Sequence, residues 1–95
     1  GEVYGKYYNN LNKSIEFMMK AYAISPNDAS LLENLGVAYG LKKDFLKSIE
    51  FFKKSIEIKP ENPQTYLNLA GSYQNIGDKE KANQCYQKAL QLQKK

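Results

Sequence analysis

The chain repeats itself at an interval of 34 residues, and this periodicity limits the folds open to it. When the sequence is shifted by 34 positions, apolar, small and acidic residues fall on residues of the same kind. A repeat of this length, with two apolar-periodic stretches and a short break between them, is typical of stacked helix pairs. The matching pairs are Leu32/Tyr66, Asn34/Asn68, Leu35/Leu69, Gly36/Ala70, Tyr39/Tyr73, Asp44/Asp78, Ser48/Ala82, Phe52/Tyr86, Ser55/Ala89, Ile56/Leu90, Ile58/Leu92 and Pro26/Pro60.

Apolar spacing of three and four residues predicts a helix in each half of every unit. Asp28 and Asn62 are well placed to cap helices, and Pro63 fits the first helical turn. We expect a break at Asn9–Asn10 and a left-handed exit at Gly77. No strand is predicted. The expected helices cover about residues 1–8, 11–24, 29–41, 44–58, 63–76 and 78–92.

The repeated residues resemble those of the tetratricopeptide family. The first helix of the second unit carries Leu-x-x-Leu-Gly-x-x-Tyr at Leu32, Leu35, Gly36 and Tyr39, and small, aromatic, small and proline landmarks follow. The resemblance implies an all-α fold, a right-handed α-solenoid of antiparallel helix pairs with about two and a half to three units. It also implies a protein–protein interaction scaffold.

The sequence predicts a single domain, residues 1–95, divided into three repeats. Residues 1–28 form a truncated first repeat, residues 29–62 the second and residues 63–95 the third. Gly1 and Tyr4 match Gly36 and Tyr39, so the first residue falls in the middle of a helix. We therefore expect a fragment of a longer protein, with possible self-association through the truncated N-terminal end.

The first helix of each unit is expected to line a concave groove that binds an extended or helical peptide segment. Asn34 and Asn68 recur at equivalent points, and an amide can pair with a peptide backbone through both its donor and its acceptor. Alternatively, the asparagines are inherited without a ligand. Gln64 and Asn68 stand where a carboxylate clamp of the family needs Lys and Arg, which argues against such a clamp. The predicted groove residues are Ser30, Glu33, Asn34, Val37, Leu41, Gln64, Leu67, Asn68, Gly71, Gln74 and Asn75.

The charge pattern argues against nucleic acid and membrane as partners. The net charge is +4, but the lysines alternate with acids, and pairs such as Glu50 and Lys54 lie one helical turn apart. Arg, the usual bidentate reader of phosphate, is absent. No apolar run reaches the length that spans a bilayer. No targeting signal is visible, so the compartment is unknown and the cytoplasm is the default expectation.

The sequence offers no catalytic, cofactor or metal chemistry. There is no His, and the single cysteine, Cys85, lies within a predicted helix as a small filler. General acid–base and nucleophilic catalysis need a base beside an activated group. We therefore predict that the protein is not an enzyme, and that it binds neither a cofactor nor a metal.

Two rival functions remain open beside peptide binding. The first is structural self-assembly through the ends or the convex face of the array, with Phe51, Met19 and Tyr22 as candidate contacts. The second, less favoured, is RNA binding by a helical repeat. The tyrosines argue against RNA, because the repeat pattern assigns the rings of Tyr39, Tyr66, Tyr73 and Tyr86 to the core.

Overall fold

The protein consists of five α-helices joined by short turns. The computed structural model describes the backbone of residues 2–94 and the side chains of residues 10–94. Between residues 2 and 94 there is no β-strand. The helices are α1 (Glu2–Ile24), α2 (Ala29–Leu41), α3 (Phe45–Ile58), α4 (Pro63–Asn75) and α5 (Lys79–Gln93). The order and bounds of α2 to α5 agree with the sequence prediction to within one residue.

Acidic and amide caps begin the four later helices. The carboxylates of Asp28, Asp44 and Asp78 accept the backbone N–H three residues ahead, at 3.2, 3.3 and 3.1 Å. Asn62 accepts from the backbone N–H of Gln64 at 3.0 Å. These bonds satisfy donors that a helix start leaves without an intrahelical partner. The repeated aspartates therefore set the boundaries that the sequence predicts.

A residue with positive φ makes the tight turn inside each of the two later units. Lys43 has φ 69° between α2 and α3, and Gly77 has φ 84° between α4 and α5. Asp44 and Asp78 follow immediately and cap the next helix. The two turns are equivalent under the 34-residue shift, and they reverse the chain so that each pair packs antiparallel.

The predicted break at Asn9–Asn10 is wrong. The helix α1 runs without interruption from Glu2 to Ile24, so the separate helix expected over residues 1–8 does not form. Asn9 stands where Lys43 and Gly77 make turns, but asparagine tolerates both a left-handed turn and a helix interior.

Two apolar clusters hold the array together, one at each boundary between units. In the first cluster, Phe51 of α3 packs with residues of α1 and α2. In the second cluster, Phe52 of α3 packs with residues of α4 and α5. A β-carbon added at Gly36 would lie 2.6 Å from the Phe52 ring, so this glycine lets α2 and α3 approach closely. The buried members are Leu11, Ile15, Leu32, Leu35, Ala38, Tyr39 and Phe51 in the first cluster, and Ile49, Phe52, Leu69, Ala70, Tyr73, Ala82 and Cys85 in the second.

The residues suggested for convex self-assembly are mostly committed to the core. The ring of Phe51 is buried, stacked on Tyr39 and edge-on to Tyr22, with both pairs of ring centroids 5.6 Å apart. Met19 and Tyr22 are half-buried against the same cluster. The suggestion is therefore wrong for Phe51. The Phe51 ring lies between α1 and α2, because this position on α3 faces both helices.

Lys54 bonds to a tyrosine rather than to the predicted acid. Its ammonium donates to the Tyr22 hydroxyl at 3.0 Å and lies over the Tyr22 and Phe51 rings. The only ion pair among the described side chains is Lys81 with Asp78, at 4.0 Å. The expected Glu50–Lys54 pair does not form, since Tyr22 of α1 offers Lys54 a hydrogen bond, and the rings of Tyr22 and of Phe51 on α3 itself lie beneath its ammonium group.

The first helices of the two later units lie closer together than the second helices do. Cα atoms of α2 and α4 approach within 8 Å, whereas within the described chain none of α1 and α3, or of α3 and α5, do so. In a curved stack, the inner layer is the more closely spaced one. The α2/α4 layer is therefore the concave side of this all-α solenoid.

Candidate peptide-binding surface

The predicted groove residues form two parallel stripes on α2 and α4. Along α2, Ser30, Asn34, Val37 and Leu41 are exposed, at a spacing of three and four residues that keeps them on one face. The α4 stripe follows at the 34-residue shift, exposed at its two ends and half-buried between them. Its members are Gln64, Leu67, Asn68, Gly71, Gln74 and Asn75.

Glu33 joins the two stripes. Its carboxylate accepts the amide N–H of Asn68 at 3.2 Å on one oxygen and that of Asn62 at 3.5 Å on the other. Asn68 in turn accepts from the Gln64 amide at 3.1 Å. This half-buried network fixes the orientation of Asn68 at the seam between α2 and α4. Each Glu33 oxygen retains a free lone pair for a further donor.

The two repeated asparagines differ in how much bonding capacity they retain. Asn68 uses one N–H toward Glu33 and one lone pair toward Gln64, so one donor and one acceptor remain. The Asn34 side chain is exposed, and its amide forms no hydrogen bond to any group of residues 10–94. The free amide donors and acceptors of the two asparagines are complementary to the carbonyl and N–H groups of an extended peptide backbone.

The carboxyl-terminal end of the α2 stripe is apolar. Val37 is 41% exposed and Leu41 is 49% exposed, although both are large aliphatic side chains. On α4, the amide of Asn75 donates back to the Gly71 carbonyl at 2.8 Å. A β-carbon added at Gly71 would meet no atom within 4 Å, so packing does not require this glycine. The α2 stripe thus passes from polar residues to an aliphatic end, whereas the α4 stripe ends in the exposed amides of Gln74 and Asn75.

The clefts in the described part of the chain lie elsewhere. One of about 500 Å³ runs along α3, and another of about 420 Å³ lies between α3, α4 and α5. None of the eleven predicted groove residues lines either cleft. The predicted groove surface is therefore separate from both of these clefts.

Two groups in the second cleft have altered proton affinity. Burial raises the pKa of the Cys85 thiol above its ordinary value of 9.0. Burial also raises the pKa of Tyr73 above 10.0, with smaller contributions from Cys85 and Asp78. Both groups are therefore neutral at physiological pH, and Cys85 lacks the thiolate character of a reactive cysteine.

The described residues contain neither a cluster of metal ligands nor a membrane span. Between residues 2 and 94, no three His, Cys, Asp or Glu side chains come together as a metal site. Within the same range, no helix combines the length and apolarity that a bilayer crossing requires.

Sequence reasoning missed one member of the network. Asn62 was predicted only as a helix cap, yet its side chain also reaches Glu33. These two residues are 29 positions apart and have no local signal in common. Only the packing of α2 against the start of α4 brings them together.

The sequence profile of the tetratricopeptide repeat matches residues 27–95. The chain belongs to the tetratricopeptide repeat family. The α2/α3 and α4/α5 pairs are the two units within the matched range. Repeats of this family generally serve as protein–protein interaction scaffolds rather than as catalysts.

Solved structures of MamA share the fold. One is 25% identical, with a TM-score of 0.87, and the match covers 93% of this chain and 52% of that one. MamA 41-end from Desulfovibrio magneticus RS-1 is 22% identical, with a TM-score of 0.86, over 93% of this chain and 50% of that one. This chain therefore spans about half the length of those proteins. No curated protein sequence matches it significantly.

Proposed function

We propose that the protein binds an extended peptide segment of a partner protein across the concave α2/α4 layer. The observation that carries the proposal is the Glu33–Asn68 seam, which orients an amide and leaves it one free donor and one free acceptor. Asn34 offers an unpaired amide one repeat away. Two amides at repeat spacing can each pair with the main chain of the same extended segment.

Charge and apolarity define the chemistry of the partner segment. Glu33 is the only ionised group among the eleven groove residues, and its oxygens still have lone pairs to offer. A neutral or basic segment is therefore favoured over an acidic one. Val37 and Leu41 provide an exposed aliphatic area that suits one apolar anchor side chain.

The test begins with peptides selected on the immobilised chain from a displayed random library. We expect the selected sequences to combine Lys or Arg with an aliphatic residue. Asn34→Ala should weaken their binding about tenfold, because one amide–backbone pairing is lost. Asn83→Ala is the matched control, since Asn83 is an exposed amide on α5, and it should leave the affinity unchanged.

The role of Glu33 is tested separately with Glu33→Gln. This variant keeps an acceptor for Asn68 but removes the charge. Binding of a basic peptide should weaken and lose much of its salt dependence, as expected when one ion pair is removed. The proposal fails if Asn34→Ala and Asn83→Ala bind alike, or if the selected peptides are predominantly acidic.

A further inference from the structure

The second cleft, of about 420 Å³ between α3, α4 and α5, lies where smaller side chains stand in place of two aromatic rings. At the boundary between the first and second repeats, Phe51 and Tyr22 pack edge-on, with ring centroids 5.6 Å apart. One repeat later, Cys85 stands at the position of Phe51, and Ile56 stands at the position of Tyr22. Both smaller residues line the cleft. The cleft is therefore space that aromatic rings fill at the equivalent boundary.

The lining of the cleft resembles the site that holds the Phe51 ring. There Phe51 stacks on Tyr39, with an interplanar angle of 6° and ring centroids 5.6 Å apart. Tyr73 is the equivalent of Tyr39 and lines the second cleft. Tyr66 is larger than its equivalent, Leu32, but it lines the cleft without closing it. An aromatic ring that enters the cleft therefore has a tyrosine to stack on.

Lysines at the cleft favour an aromatic occupant over an aliphatic one. The Lys81 ammonium lies over the Tyr73 ring at 5.7 Å, and its side chain is 60% exposed, so it can move with an incoming ring. Its equivalent, Lys47, lies over the Tyr39 ring at 5.3 Å, although a second ring is stacked on that tyrosine. Lys53 lines the cleft from α3. An ammonium group attracts the electron-rich face of an aromatic ring and not an aliphatic side chain.

The cleft does not lie on the side of α5 where a following unit would pack. On α3, Phe51 packs with the preceding helices α1 and α2, whereas Phe52 packs with the following helices α4 and α5. The equivalents of these two residues on α5 are Cys85 and Tyr86. A following unit is therefore expected on the Tyr86 side, and the cleft beside Cys85 stays open with or without it.

We propose that the second cleft receives an aromatic side chain of a partner protein, in the place that the Phe51 ring fills one repeat earlier. Tyr73 supplies the stacking surface, and Lys53 and Lys81 supply positive charge near the ring. Aromatic side chains held in such pockets are common anchors of protein interfaces. The inference goes beyond the peptide-binding proposal and is independent of it, because none of the eleven groove residues lines this cleft.

The experiment is residue-resolved NMR of the labelled chain, titrated with the capped, uncharged tripeptide acetyl-Gly-Trp-Gly-amide. We expect saturable ring-current shifts at Ile56, Leu69 and Cys85, which line the cleft. The same tripeptide with Leu in place of Trp should bind about fivefold more weakly or worse, because it lacks the cation–π attraction. Equal affinity of the two tripeptides would overturn the proposal. Tighter binding of free indole than of the Trp tripeptide would show a small-molecule site and would overturn the protein partner.

A first variant returns the missing ring to the cleft. In Cys85→Phe, the new ring should stack on Tyr73, raise the thermal unfolding midpoint and abolish the shifts that the Trp tripeptide causes at Ile56. Asn83→Phe is the matched control, since it adds the same ring to an exposed position of α5 outside the cleft, and it should leave binding unchanged. A lower midpoint in Cys85→Phe would show that the cleft does not hold a ring, and would overturn the proposal.

A second variant leaves the core untouched. The double substitution Lys53→Gln/Lys81→Gln removes both positive charges from the cleft. It should weaken binding of the Trp tripeptide about fivefold and change that of the Leu tripeptide little. Circular dichroism checks that both variants keep their helix content. An unchanged affinity for the Trp tripeptide in either folded variant would contradict the proposed site.

Discussion

Two glycines inside equivalent first helices are present for different reasons. At Gly36, a β-carbon would lie 2.6 Å from ring atoms of Phe52, whose side chain is itself buried and cannot easily move. At Gly71, the same addition meets no atom within 4 Å. Gly36 is therefore required by close helix packing, whereas Gly71 only lowers helix propensity.

Alanine substitution should separate the two cases. Gly36→Ala should lower the free energy of unfolding by about 1–2 kcal/mol, because overpacking exceeds the gain in helix propensity. Gly71→Ala should raise it by up to about 1 kcal/mol. Urea denaturation followed by circular dichroism measures both. Equal effects of the two substitutions would contradict this explanation of Gly36.

Three titrating groups predict loss of stability at high pH. Burial raises the pKa of Cys85 and of Tyr73, and the hydrogen bond to Tyr22 raises the pKa of Lys54. In each case the folded chain keeps a proton that the unfolded chain has already released, so stability falls as pH rises. The decline should start above pH 9, the ordinary pKa of cysteine.

Thermal unfolding midpoints from neutral pH upward measure this decline. Cys85→Ala, which substitutes another small side chain, should remove the part of the decline that begins at the lowest pH. The contributions of Tyr73 and Lys54 should remain. A midpoint that stays level or rises above pH 9 would be inconsistent with the three raised pKa values.

At the scale of the helices, a buried chain of hydroxyl groups links three elements across a repeat boundary. Ser48 on α3 donates to the Gly36 carbonyl of α2 at 2.7 Å. Because its single proton points there, the Ser72 hydroxyl of α4 donates to Ser48 at 2.9 Å. Both serines are buried. The equivalent of Ser48 in the next repeat is Ala82, so the repeat pattern requires a small residue at this position but not a polar one.

Removal of the Ser48 hydroxyl should therefore cost more than its size suggests. Ser48→Ala leaves the buried Ser72 hydroxyl without its acceptor and should lower the free energy of unfolding by about 1–3 kcal/mol. The double variant Ser48→Ala/Ser72→Ala should cost less than the sum of the single ones. Denaturant unfolding of the four proteins measures this coupling. Strict additivity would show that the two hydroxyls act independently.

At the scale of the whole molecule, the sequence predicted the helices that recur every 34 residues, but its prediction failed at Asn9–Asn10. Helices α2 to α5 begin at Asp and Asn caps that recur every 34 residues, and their ends agree with prediction. Asn9–Asn10 could be read either as a turn or as helix, and α1 is helical through both positions. The Glu33 network depends on contacts between distant residues, which periodicity does not contain.

The most direct test of the central claim is residue-resolved NMR of the isotope-labelled chain during titration with a peptide selected as described above. We expect the largest shift changes at Asn34, Val37, Leu41 and Asn68, and small changes along the outer faces of α3 and α5. The largest changes at the clefts lined by Lys53 and Gln84 would show instead that the partner binds the opposite side, and would contradict the account.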